Sequence, residues 1–533
     1  MTRLAGCTIP LFSLRTRRSW GIGQISDLVP TAAWLKSGGM RLLQILPPYE
    51  LCEGETSPYG ARTAFGLDPV YIDLEQVEDV GERGAEALLS PSGVIELMRL
   101  RESARVDYAA VRALKSGVLR QAFQKFHERE WLRDTPRAAE LRRFIERERA
   151  WEDDLALYVA LRESHDEHGW DTWPEGERTR DPSSLAQGRE RYARRVLEHQ
   201  YAQWIAHAQW ARAREGLSQL GVELMGDLPF VVGHESADVW AHANQFRSDV
   251  ALGAPPDAFS PEGQDWGLPA YDWAAMDADH LGWITARTRH AAKLYDRFRL
   301  DHVVGYFRMF VAPKNGPIVN GTFDPEGEAA QSERGRRVMQ RMADEARPAK
   351  IIAEDLGKIP DFVREALNEL AIPGYRVIPW ERDYVRHVYR TPNEFAEVSV
   401  ASWSTHDTAP ISSWWGELQP WEREGLSALA GVSVSASDDE RWSALMHTLL
   451  HARSDLTLVL GAEVVGDGIR INTPGTVGPE NWTYRLPMPV EDLERDPAIV
   501  RRMEALRAMA ESSGRLESAH TAQAHSSPSS SPA

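Results

Sequence analysis

Cysteine is scarce: Cys7 and Cys52 are the only two in 533 residues. That excludes a disulfide scaffold and points to a reducing compartment. No stretch reaches the roughly 18 consecutive apolar residues of a membrane-spanning helix. The run Leu4-Ala5-Gly6-Cys7 mimics a lipoprotein cleavage site, but three preceding residues leave no room for the charged and apolar regions of a signal. The match reads as coincidence, and a cytoplasmic protein is expected. Positive charge is also short, with 61 Lys and Arg against 79 Asp and Glu and a formal net charge of −18. Such a field speaks against nucleic acid and anionic membranes as partners, while a neutral ligand is indifferent to it. A Gly-rich nucleotide fingerprint is missing too. Gly21-Ile22-Gly23 comes nearest, but it lacks the third glycine and precedes the first recognisable strand. With no metal-type cysteine cluster either, neither a metal nor a cofactor is expected.

What is present is globular: 42% hydrophobic and 26% charged residues, with 19 Trp. Indole faces suit the apolar faces of sugars, although most Trp residues in a chain of this kind serve the core. A helix around 27–37 leads into an apolar run at 40–47, the first barrel strand on this reading, and then into a turn-rich stretch from Pro48 to Asp73. From about 82 to 217 apolar residues recur at three- and four-residue spacing, as a helical insertion would. Strands follow at 221–229, 297–303, 350–355, 375–380, 398–403 and 456–460, with helical segments at 284–296, 331–346, 361–370 and 437–453. Strands alternating with helices predict parallel βα units, and about eight of them over this length predict an α/β fold, a (β/α)₈ TIM barrel with large, mainly helical insertions. The barrel is expected to occupy 1–487, with a helical segment at 488–510 and a polar, low-complexity, disordered tail from about 511 to 533.

Three acids directly follow apolar strand sequences: Asp301 in RLDHVVG, Glu354 in KIIAEDLG and Asp407 in SVASWSTHDT. Each would fall at the mouth of a barrel, the face where this fold carries catalytic groups. Arg299, two residues before Asp301 and on the same face of its strand, favours the ionised carboxylate of a nucleophile. Glu354 follows Ile351, Ile352 and Ala353, an apolar surround that favours the protonated form of a general acid. Asp355 points the other way and reads as a structural partner. Asp407 would grip sugar hydroxyls as the ring flattens, with His302 and His406 as hydrogen-bond donors to the same ring. Three carboxylates without a metal are what glycosyl transfer with retention requires.

These motifs, in their order, resemble the 4-α-glucanotransferases of glycoside hydrolase family 77, the amylomaltases or disproportionating enzymes. The resemblance rests on SWGIGQISDL at 19–28, QILPP at 44–48, SPYGARTAFGLDPVYIDL at 57–74 and GDLPFVVGHESADVWA at 226–241. It continues through GAPPDAFSPEGQDWGLPAYDW at 253–273, RLDH, AEDLG, THD, and INTPGT with NW at 471–482. It implies Asp301 as nucleophile, Glu354 as general acid/base and Asp407 as transition-state stabiliser. It further implies that Arg299, His302 and His406 contact the sugar, and that Asp257, Gln264 and Trp266 belong to a loop at 253–273 over the donor site. That loop would act as a lid, hinged at Gly253, Gly263 and Gly267 and covered by Phe259 and Trp266. Ser57 and Tyr59 match the family's first-loop motif, Tyr59 as a stacking platform, and Asn481 is a further substrate contact. The implied partners are α-1,4-glucans and maltooligosaccharides, and the implied reaction passes a glucan segment to the 4-hydroxyl of an acceptor. Hydrolysis at the same site and a silent glucan-binding protein are the competing readings, and retention of all three acids disfavours the second. Departures from the family pattern at Thr408-Ala409-Pro410, Ala462-Glu463 and Pro373-Gly374-Tyr375 bear on acceptor preference and loop geometry.

Overall fold

The computed structural model describes residues 3–256 and 261–516. Eight short parallel strands close a barrel in sequential order: β1 (Leu4–Thr8), β2 (Leu42–Gln44), β3 (Glu223–Leu228), β4 (Arg297–Leu300), β5 (Lys350–Ala353), β6 (Gly374–Val377), β7 (Ser399–Ser402) and β8 (Leu456–Leu460). The final pair, β8 with β1, runs in register from Leu4↔Leu456 to Thr8↔Leu460. The first strand is therefore Leu4–Thr8, and the run at 40–47 supplies the second. LAGCT is buried at every position, so it shows no alternation of apolar and polar residues. Gly6 is there for packing, since a Cβ on it would come within 2.7 Å of Leu42 in the neighbouring strand. Leu4, Leu42, Met225, Ile352, Tyr375, Val400, Leu456 and Leu458 fill the barrel interior.

Residues 511–516, read above as the start of the polar tail, are helix and turn in the structure. The last helix runs Pro497–Ser512, and the Arg515 side chain is buried. Its guanidinium donates to the carbonyls of Leu450, Ala452, Ser454, Asp455 and Leu4 at 2.7–3.2 Å, tying the C-terminal segment to the ends of β1 and β8. Removing it leaves buried acceptors unmatched, so Arg515→Met is expected to cost about 3 kcal/mol in urea unfolding. Truncation after Ala510, which removes Arg515, should cost at least as much as the substitution.

Between β2 and β3 lies the expected helical insertion, dominated by helices Pro91–Glu102, Tyr108–Arg129, Pro136–Ser164 and Ala193–Leu220. Ser90, Asp107 and Thr135 cap the first three through their side chains, and Gly221, at φ +68°, ends the fourth. These helices also grip the loop after β2. His199 Nε2 lies 2.9 Å from Glu50 Oε2, and Gln203 donates to Glu50 and to the Leu67 carbonyl while accepting from the Leu67 N–H. Both ends of the loop that carries Tyr59 are fixed in this way. No described helix is long and apolar enough to cross a membrane.

Of the stretch read as a loop at 253–273, the described residues are mostly strand. Phe246–Ala254 and Gln264–Tyr271 pair antiparallel, and with Met309–Pro313 and Thr322–Asp324 they make a four-stranded sheet beside the barrel mouth. Gly253 is no hinge. It pairs with Asp265 and Phe310, and a Cβ there would meet the Gln264 carbonyl at 1.8 Å. Gly263 and Gly267 do take positive φ, +76° and +64°. Asp257 and Phe259 lie outside the described residues.

Candidate active site

Asp301 directly follows β4 and Glu354 directly follows β5, and the register Leu300↔Ala353 sets the two acids side by side at the carboxyl ends of adjacent strands. Arg299, buried in β4, joins them. Its Nη2 lies 2.8 Å from Asp301 Oδ1 and 4.0 Å from Glu354 Oε2. The two carboxyl oxygens can be no further apart than those distances laid end to end. That ceiling is close to the lower edge of the roughly 6.5–9.5 Å an inverting pair needs to admit water.

His302, directly after Asp301, takes a left-handed conformation at φ +44°, uncommon for a residue with a Cβ. The turn aims its N–H at Glu354 Oε2 (2.8 Å), and the Leu356 N–H reaches Oε1 (3.0 Å). Burial drives the Glu354 pKa up; Arg299 and the two N–H groups oppose it and the Asp301 charge assists, leaving it pushed up to about 7. The surround anticipated from Ile351, Ile352 and Ala353 is thus present, and Glu354 can hold a proton at neutral pH. Burial also pushes the His302 imidazole down to about 4, so it is neutral there. Its ring stands edge-on to Trp266, centroids 4.8 Å apart.

Asp407 lies beyond β7 in a turn closed by Thr405 and Thr408. Burial disfavours its charge, yet His406 at 3.2 Å and the Asn472 amide at 2.7 Å hold its carboxyl well below the usual range. The His406 imidazole is raised in turn by Asp407, against the effect of its own burial.

Two residues of this cluster carried no role in the sequence reading. Asp227, in β3 and fully buried, accepts Arg299 Nη1 on both oxygens at 3.0 and 2.8 Å and the Tyr59 hydroxyl at 2.9 Å. It obeys the rule that exposed the other three, an acid at the end of an apolar strand, here Val-Glu-Leu-Met-Gly-Asp. Asn472 stands in the quoted INTPGT motif. Tyr59 differs from its expected role as a free platform: its hydroxyl bridges Asp227 and His406 Nε2 (2.9 Å), and its ring stacks on the His406 imidazole. Ser57 shapes the turn before it by accepting the Tyr59 N–H. Asn481 precedes Trp482, whose ring packs against Tyr59 and His406. Asn481 itself is buried, and its amide is engaged by Thr473 and Thr476 within its own loop. Gln264 is exposed on the four-stranded sheet, where its carbonyl oxygen accepts from the Trp266 indole at 3.3 Å. Asp355 accepts from the Tyr375 N–H and Arg376, away from the cluster, as its opposite facing predicts.

The family model described as 4-alpha-glucanotransferase matches residues 9–490. A 4-alpha-glucanotransferase of Chlamydia trachomatis is 30% identical over 516 residues, 94% of each chain, and one of Thermus thermophilus is 29% identical, covering 91% of this chain and 93% of its own. Among solved structures, the amylomaltase from Streptococcus agalactiae in complex with acarbose superposes with a TM-score of 0.83 at 22% identity, covering 97% of this chain and all of the other. At that identity the match speaks for the barrel and its insertions. The length of the family match and the 30% relative carry the assignment: this chain belongs to the 4-alpha-glucanotransferases of glycoside hydrolase family 77 and is an enzyme of that transferase type.

Proposed function

We propose that the chain disproportionates α-1,4-glucans and maltooligosaccharides by two displacements at the anomeric carbon. The Asp301 carboxylate attacks that carbon, the bond to the leaving 4-oxygen breaks, and Glu354 delivers its proton to that oxygen. The acceptor's 4-hydroxyl then gives its proton to the Glu354 carboxylate while its oxygen attacks the same carbon and releases Asp301. Asp407, held ionised by His406 and Asn472, takes the hydroxyls of the bound glucose, and its grip strengthens as the ring acquires positive charge. Arg299 and Asp227 orient the nucleophile, and His302, neutral through burial, and His406, its imidazole raised by Asp407, border the same sugar. Asp257, Gln264 and Trp266 are assigned to the lid over the donor. The observation that carries the reading is the single Arg299 nitrogen that reaches both Asp301 and Glu354. Two unpaired thiols, Cys7 and Cys52, suit the reducing cytoplasm we assign to it.

Incubation with maltotriose tests this. A transferase yields glucose and a ladder of longer chains of retained α configuration with little gain in reducing ends. Shorter products alone would mean hydrolysis, and inverted anomers would remove the covalent intermediate. The acid role also has a pH signature. Glu354 must be protonated for the first displacement, so kcat/KM is expected to fall as pH rises through about 7. Glu354→Gln should lower turnover about 10²–10⁴-fold and abolish that limb.

A further inference from the structure

Among the described residues, Trp380 and Tyr384 are the only Trp, Tyr or Phe side chains that are largely exposed, at 44% and 62%. They lie four residues apart on one feature. Trp380 ends the short helical turn after β6, and Tyr384 is at the tip of the hairpin formed by Arg382–Asp383 and Val388–Tyr389. Val385 and Val388, exposed by 89% and 59%, share that hairpin. An exposed apolar cluster on the catalytic rim calls for an occupant.

The hairpin is held in a defined shape. Arg382 is fixed by Glu422 at 2.7 Å, and its guanidinium lies 4.8 Å from the Tyr384 ring centre and 5.1 Å from that of Trp421. His387 covers Trp421 at 4.4 Å, and the Tyr384 hydroxyl donates to the Trp380 carbonyl at 3.3 Å. One face of Tyr384 is thus backed by a pinned cation, and the other is open to solvent. Rigid, half-covered aromatic faces suit the apolar faces of sugar rings, because little entropy is lost when they are used.

Position selects which sugars. In the reaction proposed above, on which this inference rests, Glu354 protonates the leaving oxygen, so the leaving sugar lies on the Glu354 side of Asp301. The next strand in that direction is β6, between the strands that carry Glu354 and Asp407, and the hairpin rises from it. We infer that Tyr384, braced by Arg382 and Trp421, is a platform for the distal part of the leaving or acceptor glucan, beyond the glucose units at the point of cleavage. A glucose acceptor is too short to reach it. A maltoheptaose acceptor is not.

The full chain is assayed with one donor, maltotriose, and either glucose or maltoheptaose as acceptor. Tyr384→Ser should raise KM for maltoheptaose about five- to tenfold, as loss of one covered sugar face implies, with kcat and the KM for glucose unchanged. Tyr384→Phe, which keeps the face and loses the hydroxyl, should stay near wild type. An unchanged maltoheptaose KM in Tyr384→Ser, or equal losses with both acceptors, overturns the platform. Wild-type protein that only hydrolyses maltotriose overturns the transferase reading instead.

Discussion

Asp301→Asn is expected to lower disproportionation on the order of 10⁴-fold or more while leaving the fold intact, because the covalent intermediate has no other acceptor at that position. The side chain is nearly isosteric, its carboxylate is partly open to the cleft, and Arg299 keeps Asp227 as a partner, so little packing is disturbed. Activated substrates separate this defect from one in Glu354. With an α-glucosyl fluoride, whose leaving group needs little protonation, Glu354→Gln should regain much of its first displacement and Asp301→Asn should not. Azide should accept from the Asp301→Asn enzyme directly and give a product of inverted configuration. A variant that retained normal turnover would remove Asp301 from the reaction.

Arg299→Met is expected to act on the fold as strongly as on the chemistry. Asp227 is fully buried and takes both of its contacts with a cation from Arg299. Removing the guanidinium leaves a buried carboxylate near the Asp301 charge with the Tyr59 hydroxyl but no guanidinium as partner, at a cost of roughly 3–5 kcal/mol. Urea unfolding followed by Trp fluorescence measures it. Asp227→Asn in the same chain should restore much of the stability and none of the activity, since the nucleophile still lacks its partner. If Arg299→Met were as stable as wild type, the network around Asp227 would not hold this end of the barrel together.

The acids could be found in the sequence because a charge at the end of an apolar strand is costly anywhere except at a site. The same logic was open for Asp227, which ends such a run in β3, but a reading that stopped at three carboxylates had no need of it. The first strand escaped notice for a different reason. LAGCT is five residues long, buried on both faces and made largely of small side chains, so neither alternation nor bulk marks it. The four-stranded sheet was hidden by its glycines, which read as loop until Gly253 is seen to admit the Gln264 carbonyl. Tyr59 was singled out in the sequence by its motif. That its hydroxyl would join Asp227 and His406 depends on contacts across 168 and 347 residues, which no local pattern encodes.

In the reaction proposed above, the guanidinium shared by Asp301 and Glu354 would also set the order of events. Before reaction, the negative charge of Asp301 helps keep the proton on Glu354 and competes with it for Arg299. Once Asp301 is esterified that charge is gone, and Arg299 is left to favour an anion at Glu354 alone. On that reading the Glu354 pKa falls, its carboxyl gives up its proton, and the resulting carboxylate is free to take the proton of the incoming hydroxyl. When that hydroxyl displaces the ester, the charge returns to Asp301 and Glu354 is reset as a donor, so each half-reaction prepares the protonation state that the other consumes.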